Sequence, residues 1–409
     1  MSKKLVLFTS EFPFGRGETF LETEIAYLSK AFDSVHIISS FVTGQQTRTI
    51  PENCTVQQLD LTLNPFEKIG SFRHLFSSIF REEIRIIRKK YKIGISFGIL
   101  KTMLISLSRA KLIFRESSKL AYELGSDTQF YFYSYWSDDV AIGLGMLQNK
   151  FPELITFSRV HRWDLYFEES EFGYLPYRTF LVNSIGRIFS ISQDGIEYIR
   201  DYWKEQDMSK IVLSRLGVSN SHPFRLSNNE IFTLVSCSNL IKVKRVDLIA
   251  KALGEIDDIK IKWVHFGDGV CREMIEEFIQ NMPDAISVEL KGSVSNKEIY
   301  AYYAKLKPDL FINVSSSEGV PVSIMEAMSF GIPVIATDVG GNGEIVNQKN
   351  GFLLHSSASI EEIAECILNF ARLEKLDIVL YQNNSFSTWF EKYNSKENYL
   401  TFLRFVMEI

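Results

Sequence analysis

Short apolar runs alternate with amphipathic helical stretches along this chain, and that alternation restricts it to an α/β protein built on parallel sheets. The first half predicts strands at 5–8, 35–38, 130–133, 154–157 and 187–191, with helices at 22–32 and 136–148. A second series predicts strands at 232–237, 262–266, 310–314 and 333–336 and helices at 246–254, 270–282, 321–330 and 359–370. Each strand-to-loop-to-helix junction sets a loop at the carboxyl end of a strand, where open α/β sheets bind ligands.

Between the two series, Gly217-Val-Ser-Asn-Ser-His-Pro-Phe-Arg-Leu-Ser-Asn-Asn is rich in turn formers and reads as a linker. The expected organisation is a domain over 1–217, a domain over 218–385, and a terminal helix over 386–409 packing back on the first. Two Rossmann-like halves facing across a cleft are expected, with no internal repeat. A chain of 409 residues with 45% hydrophobic and 13% aromatic residues has ample material for such cores. Its net charge of −5 argues against nucleic acid as a partner. No apolar run approaches the roughly 18–20 residues that span a bilayer. The start, Met1-Ser2-Lys3-Lys4 before 5–9, reads as a buried first strand because its apolar run is too short for a signal peptide. Cys54, Cys237, Cys271 and Cys366 have neither metal-site nor disulfide spacing and read as small buried residues, which predicts a cytoplasmic setting.

The most informative stretch runs from Ser315 to Val346. A predicted strand opens into a polar loop, then Glu318-Gly319-Val320-Pro321-Val322 enters a helix. Proline fits a helix start because its missing N–H has no partner there anyway. Gly319 lets backbone approach a ligand, and the free N–H groups of a helix N-terminus favour phosphate oxygens. Side chains lean toward a helix N-terminus, so Glu326 points back toward such a ligand, where a carboxylate suits a ribose diol. Glu318 is then nearer the sugar. Glu326 is flanked by Ile324, Met325, Ala327 and Met328, and a carboxylate in that company needs a partner. Gly340-Gly341 forms either a plain turn or a loop for ligand approach. Lys242, Lys244 and Arg245 precede the 246–254 helix; cations there oppose the helix dipole and want an anion. Phe266-Gly-Asp-Gly269 is a further Gly-rich junction.

With these residues in place the chain resembles the family-4 retaining glycosyltransferases of GT-B fold. Glu318 and Glu326, eight apart, match that family's paired glutamates, and Gly331-Ile-Pro-Val-Ile-Ala-Thr-Asp-Val-Gly-Gly341 matches the family's next segment. Phe266-Gly267-Asp-Gly and Asn350-Gly-Phe-Leu353 fall in register, and Lys244 falls at the family's diphosphate-binding lysine. The resemblance is strong from Ser236 to Leu353 and loose in the N-terminal half. One position departs: the arginine expected five residues before the lysine is Asn239, leaving Lys242, Arg245 or Arg215 to compensate.

The resemblance implies acceptor binding in the N-terminal half. Thr9–Glu22 there contains Gly15-Arg16-Gly17, where related enzymes have a loop facing the donor. Trp136 and Asp138 follow one predicted strand, and His161, Arg162 and Asp164 follow another; aromatic rings beside carboxylates suit a sugar. His161 stands where relatives place a histidine near the reacting sugar. The implied reaction is retaining transfer from a nucleoside-diphosphate sugar to a hydroxyl of a saccharide or lipid-linked saccharide, in bacterial surface polysaccharide synthesis. Glu318, His161 and Lys244 would be its catalytic groups. No Asp-x-Asp metal motif is present, so neither metal nor cofactor is expected. A GT-B nucleotide-sugar epimerase and a non-catalytic nucleotide-sugar-binding subunit are the rival readings. Finally, 61–120 holds thirteen Lys or Arg against four Asp or Glu. Phe80, Ile84, Ile87 and Tyr91 recur there at helical spacing beside Arg81, Arg85, Arg88, Lys89 and Lys92, so 78–92 is expected to meet an anionic membrane on its cytoplasmic face.

Overall fold

The computed structural model of this protein describes residues 2–15, 17–41, 44–122, 128–204, 207–227 and 229–409. It comprises two compact units, Met1–Leu216 with Tyr399–Ile409, and Gly217–Asn398. Each is an all-parallel sheet with helical crossovers, the Rossmann-like α/β arrangement of GT-B proteins.

In the N-terminal unit the strands are β1 (Ser2–Thr9), β2 (Ser34–Ser39), β3 (Cys54–Gln58), β4 (Thr128–Ser134), β5 (Ile155–Val160), β6 (Arg187–Ser190) and β7 (Ile211–Leu213). They lie in the order β3-β2-β1-β4-β5-β6-β7. The C-terminal unit holds β8 (Phe232–Cys237), β9 (Ile261–Phe266), β10 (Ile286–Leu290), β11 (Leu310–Asn313), β12 (Val334–Thr337) and β13 (Gly351–Leu354), in the order β10-β9-β8-β11-β12-β13. In both units the chain first builds outward on one side, then returns to build on the other. The order reverses between β1 and β4 in one sheet and between β8 and β11 in the other.

The four strands absent from the sequence prediction, β3, β7, β10 and β13, are the four sheet edges. Two of them are broken by polar residues, β3 as Cys-Thr-Val-Gln-Gln with one buried residue and β10 as Ile-Ser-Val-Glu-Leu, while β7 (Ile-Val-Leu) and β13 (Gly-Phe-Leu-Leu) are apolar runs of only three and four residues. The predicted 136–148 helix begins at Asp139, because the Asp138 carboxylate accepts the Val140 N–H at 2.9 Å and caps it, leaving Trp136 in the preceding loop. Two helices, Lys375–Lys392 and Ser395–Met407, stand in the predicted 386–409 region, and residues up to Asn398 stay with the C-terminal unit. Beyond them Tyr399, Phe402 and Val406 are buried in the N-terminal unit.

The 78–92 expectation needs correction. Phe80, Ile87 and Tyr91 are buried and Ile84 packs on the same core cluster, so the apolar stripe expected to face lipid faces the protein. Every surface helix has such a face, and Arg81, Arg85, Arg88, Lys89 and Lys92 are left on its exposed side.

One buried polar cluster is unusual. Arg159, fully enclosed, donates to the Tyr133 hydroxyl at 3.0 Å, the Ser214 carbonyl at 3.2 Å and Glu24 Oε1 at 3.4 Å, with its guanidinium 4.4 Å from the centre of the Phe402 ring. Burial raises the Glu24 carboxyl even against the lowering effect of Arg159. Removing Arg159 leaves the buried Glu24 carboxyl, among the described residues, with only the Tyr133 hydroxyl, which donates to Oε1 at 3.0 Å. Arg159→Met is therefore expected to cost about 3–5 kcal/mol, and Arg159→Met with Glu24→Leu to recover part of it. Thermal unfolding of the three proteins checks this; a double variant no more stable than the single one contradicts it.

Candidate functional site

In the C-terminal unit the loops leaving β8 and β11 flank the strand-order reversal, and both contribute charged side chains. From the first comes Lys244, at the end of the short turn Lys242–Lys244; from the second comes Glu318. Although 74 residues apart in sequence, Lys244 Nζ stands 2.6 Å from Glu318 Oε1. The same oxygen accepts Ser315 Oγ at 2.6 Å and Asn313 Nδ2 at 3.2 Å. Glu318 is thus a buried carboxylate held in one orientation by three donors.

Both loops are braced from behind. Arg245, in left-handed backbone conformation with φ 48°, donates to the carbonyls of Val314 at 2.6 Å, Ser315 at 3.0 Å and Ser356 at 2.9 Å. The guanidinium expected to meet a phosphate is engaged with loop backbone instead. Gly340 has φ 51°, and a Cβ there would lie 1.9 Å from the Glu318 carbonyl oxygen; the Gly341 N–H donates to the Gly319 carbonyl at 2.8 Å. The glycine pair packs against the Glu318–Gly319 backbone, and this contact accounts for both residues. Gly267, with φ 135°, has the same relation to the β8 loop, since its Cβ would lie 1.9 Å from the Ser238 carbonyl. Beneath it a polar chain runs from the Trp263 indole to Ser236 Oγ at 2.9 Å, from Ser236 to His265 Nδ1 at 2.8 Å, and from His265 Nε2 to the Ser238 carbonyl at 3.1 Å. Burial holds His265 down to about 4, so it is neutral and donates through Nε2.

Helix Val322–Ser329 starts after Pro321, its N-cap, with no side-chain cap on its N-terminal N–H groups. Val320 and Pro321 are buried, Gly319 and Val322 partly so. Glu326 in this helix is buried, accepts Asn296 Nδ2 at 2.9 Å and is hydrogen-bonded by Tyr300. Burial drives its carboxyl up to about 7 in spite of Tyr300. Cys237, closing β8, lies within the fields of both Glu326 and Lys244: burial and then Glu326 push its thiol up to about 12, and Lys244 pulls it down. The structure therefore gathers Lys244, Glu318 and Glu326 around the ends of β8 and β11. Asn239 and Lys242 are exposed on the β8 loop, and Arg215 belongs to the other unit.

In the N-terminal unit the predicted residues among those described lie on the loops after β1, β4 and β5. Glu18, which the sequence analysis passed over, accepts the Ser10, Glu11 and Phe12 N–H groups at 2.8, 2.8 and 2.7 Å and the Trp136 indole N–H at 2.6 Å. It ties the β1 loop to the β4 loop. His161 is enclosed between Tyr135 and Trp136, with ring centres 4.7 and 4.4 Å away. Among the described residues neither of its ring nitrogens has a hydrogen-bond partner, and Asp164 Oδ2 lies 3.8 Å from Nδ1. Asp164 is committed to backbone, accepting the Ser137 and His161 N–H groups, each at 2.8 Å. Asp138 borders a cavity of about 280 Å³ with Trp163, Arg109 and Arg178. Burial, then Asp139 beside it, raises the Asp138 carboxyl to about 8. Arg162 pairs with Glu169 at 2.8 Å. Gly15 and Gly17 lie against the Glu11 carboxylate, and Arg16 falls outside the described residues. Among the described residues no group of three or more His, Cys, Asp or Glu side chains is placed to hold a metal.

Residues 219–385 match the family Glycosyl transferases group 1. The chain is similar to the GtfA subunit of the UDP-N-acetylglucosamine–peptide N-acetylglucosaminyltransferase of Streptococcus pneumoniae, 29% identical over 157 residues. That alignment takes in 37% of this chain and 30% of the streptococcal protein, so this chain matches under a third of that relative's length. It is also similar to the O-antigen biosynthesis glycosyltransferase WbnH of Escherichia coli, 29% identical over 145 residues, covering 35% of this chain and 40% of that one. Anabaena HepE, solved in complex with UDP, superposes with a TM-score of 0.66 over 100% of both chains at 14% identity, a likeness of fold.

The Glu326 environment predicts a pH signature. A carboxyl that titrates near 7 when folded and near 4.5 when unfolded contributes stability that is intact below pH 4.5 and lost as pH rises to 7. The stability of the protein relative to its Glu326→Gln variant should fall by roughly 3 kcal/mol across that window. Denaturant titrations at its two ends check this, and a constant difference would mean that folding does not shift the Glu326 carboxyl.

Proposed function

We propose that this chain is a retaining glycosyltransferase of the family-4 type. It would move a sugar from a nucleoside-diphosphate sugar to a hydroxyl of a saccharide or lipid-linked saccharide, on the cytoplasmic side of surface polysaccharide synthesis. The observation that carries this reading is the convergence of Lys244 and Glu318 at the β8–β11 reversal, beside the buried Glu326. The glycosyl transferases group 1 match, and the names of relatives that transfer sugars, support it.

In the proposed reaction the bond from the anomeric carbon to the donor diphosphate breaks and a bond to the acceptor oxygen forms. The acceptor proton passes to the departing phosphate oxygen. Lys244, drawn from Glu318 to the diphosphate, and the uncapped N–H groups at Val322 stabilise the charge that develops on the leaving group; one such donor is commonly worth about 2.7–4 kcal/mol. Glu326 receives the ribose hydroxyls and Glu318 the sugar. With Arg245 engaged on three carbonyls, Lys242 is the second cation of the diphosphate site in place of the arginine missing at Asn239. His161, buried with no hydrogen-bond partner among the described residues for either ring nitrogen, would hydrogen-bond a hydroxyl of the reacting sugar. Trp136, Asp138 and Trp163 would frame the acceptor. No metal enters the mechanism.

Incubation with a panel of nucleotide sugars tests the reading: transfer or slow donor hydrolysis supports it, isomerised donor makes the protein an epimerase, and binding without turnover makes it a non-catalytic subunit. Activity should survive EDTA; loss on chelation with recovery on added magnesium or manganese contradicts the metal-free mechanism. Glu326→Ala is expected to weaken donor binding by about 1.5–3 kcal/mol in calorimetry, the value of a hydrogen bond to a charged group. Lys244→Ala should weaken nucleoside diphosphate far more than monophosphate, and equal losses would remove Lys244 from the distal phosphate.

A further inference from the structure

Half of the large apolar side chains that the N-terminal unit exposes, among the described residues, fall between 66 and 97: Phe66, Ile69, Phe72, Leu75, Phe76 and Phe97. Phe66, Phe76 and Phe97 are 85%, 82% and 76% exposed, far beyond what an isolated surface phenylalanine requires. They belong to a short helix, Pro65–Gly70, the tighter turn Ser71–Phe76 after it, and the start of the long helix Phe97–Tyr122. On one side of this segment, Ile69, Phe72, Leu75, Phe97, Leu100 and Leu104 line an apolar groove of about 490 Å³ with Lys68 and Lys101 at its margin. On the other, Arg73, Lys111 and Arg115 border a second cavity of about 480 Å³ whose one acidic residue, Glu67, already caps its helix by accepting the Asn64 N–H at 2.8 Å. Lys111 rests its ammonium on His74 Nδ1 at 3.0 Å, and Arg115 pairs with Glu116 at 2.9 Å.

We propose that this face is the docking surface of the protein for a bilayer containing anionic phospholipid, with the phenylalanines entering the interface and Lys68, Arg73, Lys101, Lys111 and Arg115 meeting headgroup phosphates. Charge selects the occupant. The two cavities are lined by five cations, Lys68, Arg73, Lys101, Lys111 and Arg115, against the single carboxylate of Glu67, so apposing the same face of a second copy would bring like charge to like charge, whereas an anionic lipid surface complements it. The apolar face here is unpartnered, unlike that of 78–92, and no helix among the described residues is long and apolar enough to cross the membrane. The surface therefore lies on the bilayer. This inference stands apart from the proposed chemistry, since none of its residues belongs to the candidate site.

Sedimentation of the full chain with vesicles tests it, comparing phosphatidylcholine containing phosphatidylglycerol with phosphatidylcholine alone. Binding should require the anionic lipid and decline with salt. Substituting Lys68→Gln, Arg73→Gln, Lys101→Gln and Arg115→Gln together should lower the partition coefficient by about fivefold per cation removed. Phe66→Ser with Phe76→Ser and Phe97→Ser should lower it by about tenfold or more. These side chains are exposed, so thermal midpoints should stay at the parent value; a variant that melts early is replaced by Arg73→Gln with Arg115→Gln alone. Three results overturn the proposal: no binding of the parent at low salt, equal binding to neutral vesicles, or a lipid-free dimer in sedimentation velocity that the phenylalanine substitutions abolish, which would assign the face to a second copy.

Discussion

An all-parallel sheet whose chain builds first to one side and then to the other must contain one place where neighbouring loops diverge, because the crossovers on the two sides run to opposite faces. The polar contacts between loops in either unit depend on that constraint. In the C-terminal sheet it separates the loops after β8 and β11, and Lys244 and Glu318 meet in the opening. In the N-terminal sheet it separates the loops after β1 and β4, and Glu18 and Trp136 meet there. A sheet built in one direction only would give all its loops the same inclination and leave no such gap.

A gap between loops is useful only if the loops keep their shape, and here they are held mainly by backbone contact. Gly340 lets one turn rest directly on the Glu318 carbonyl, and Gly267 lets another rest on the Ser238 carbonyl. Arg245 gathers three carbonyls from two loops. The consequence is a site whose loop backbone is set before any ligand arrives, which lowers the entropic cost of binding.

The sequence made the central strands, the linker and the Glu318–Glu326 helix legible because each carries a strong local signal: a continuous apolar run, a cluster of turn formers, or a proline at a helix entry. The sheet edges were not legible, since β3 and β10 are interrupted by polar residues and the apolar runs of β7 and β13 are only three and four residues long. The partners of the site residues were hidden for a different reason. Asn313 ends an otherwise apolar strand and His265 is a buried polar residue near the end of another, a pattern that does mark a buried hydrogen bond but does not name its partner. Asn296 and Tyr300 reach Glu326 from a helix 30 and 26 positions earlier, and no local periodicity relates them. Arg245 was legible as a cation and misplaced as a ligand, because its left-handed backbone, which turns the guanidinium onto the loops, has no sequence signature of its own. The 78–92 stripe was read correctly as amphipathic, but amphipathicity does not say whether the apolar face meets lipid or core.

Three consecutive backbone N–H groups converging on one point form a receptor for anions of the kind that holds phosphate in many proteins. In the β1 loop those groups belong to Ser10, Glu11 and Phe12, and the anion they hold is the chain's own, the carboxylate of Glu18. The receptor is occupied by a tethered guest whose effective concentration no dissolved ion can match. A small anion such as phosphate or sulfate would have to displace it, break the Trp136 bond and leave a buried carboxylate unpaired. These three N–H groups are thereby insulated against the ionic composition of their surroundings, and any selectivity of this unit for charged ligands must arise from other groups.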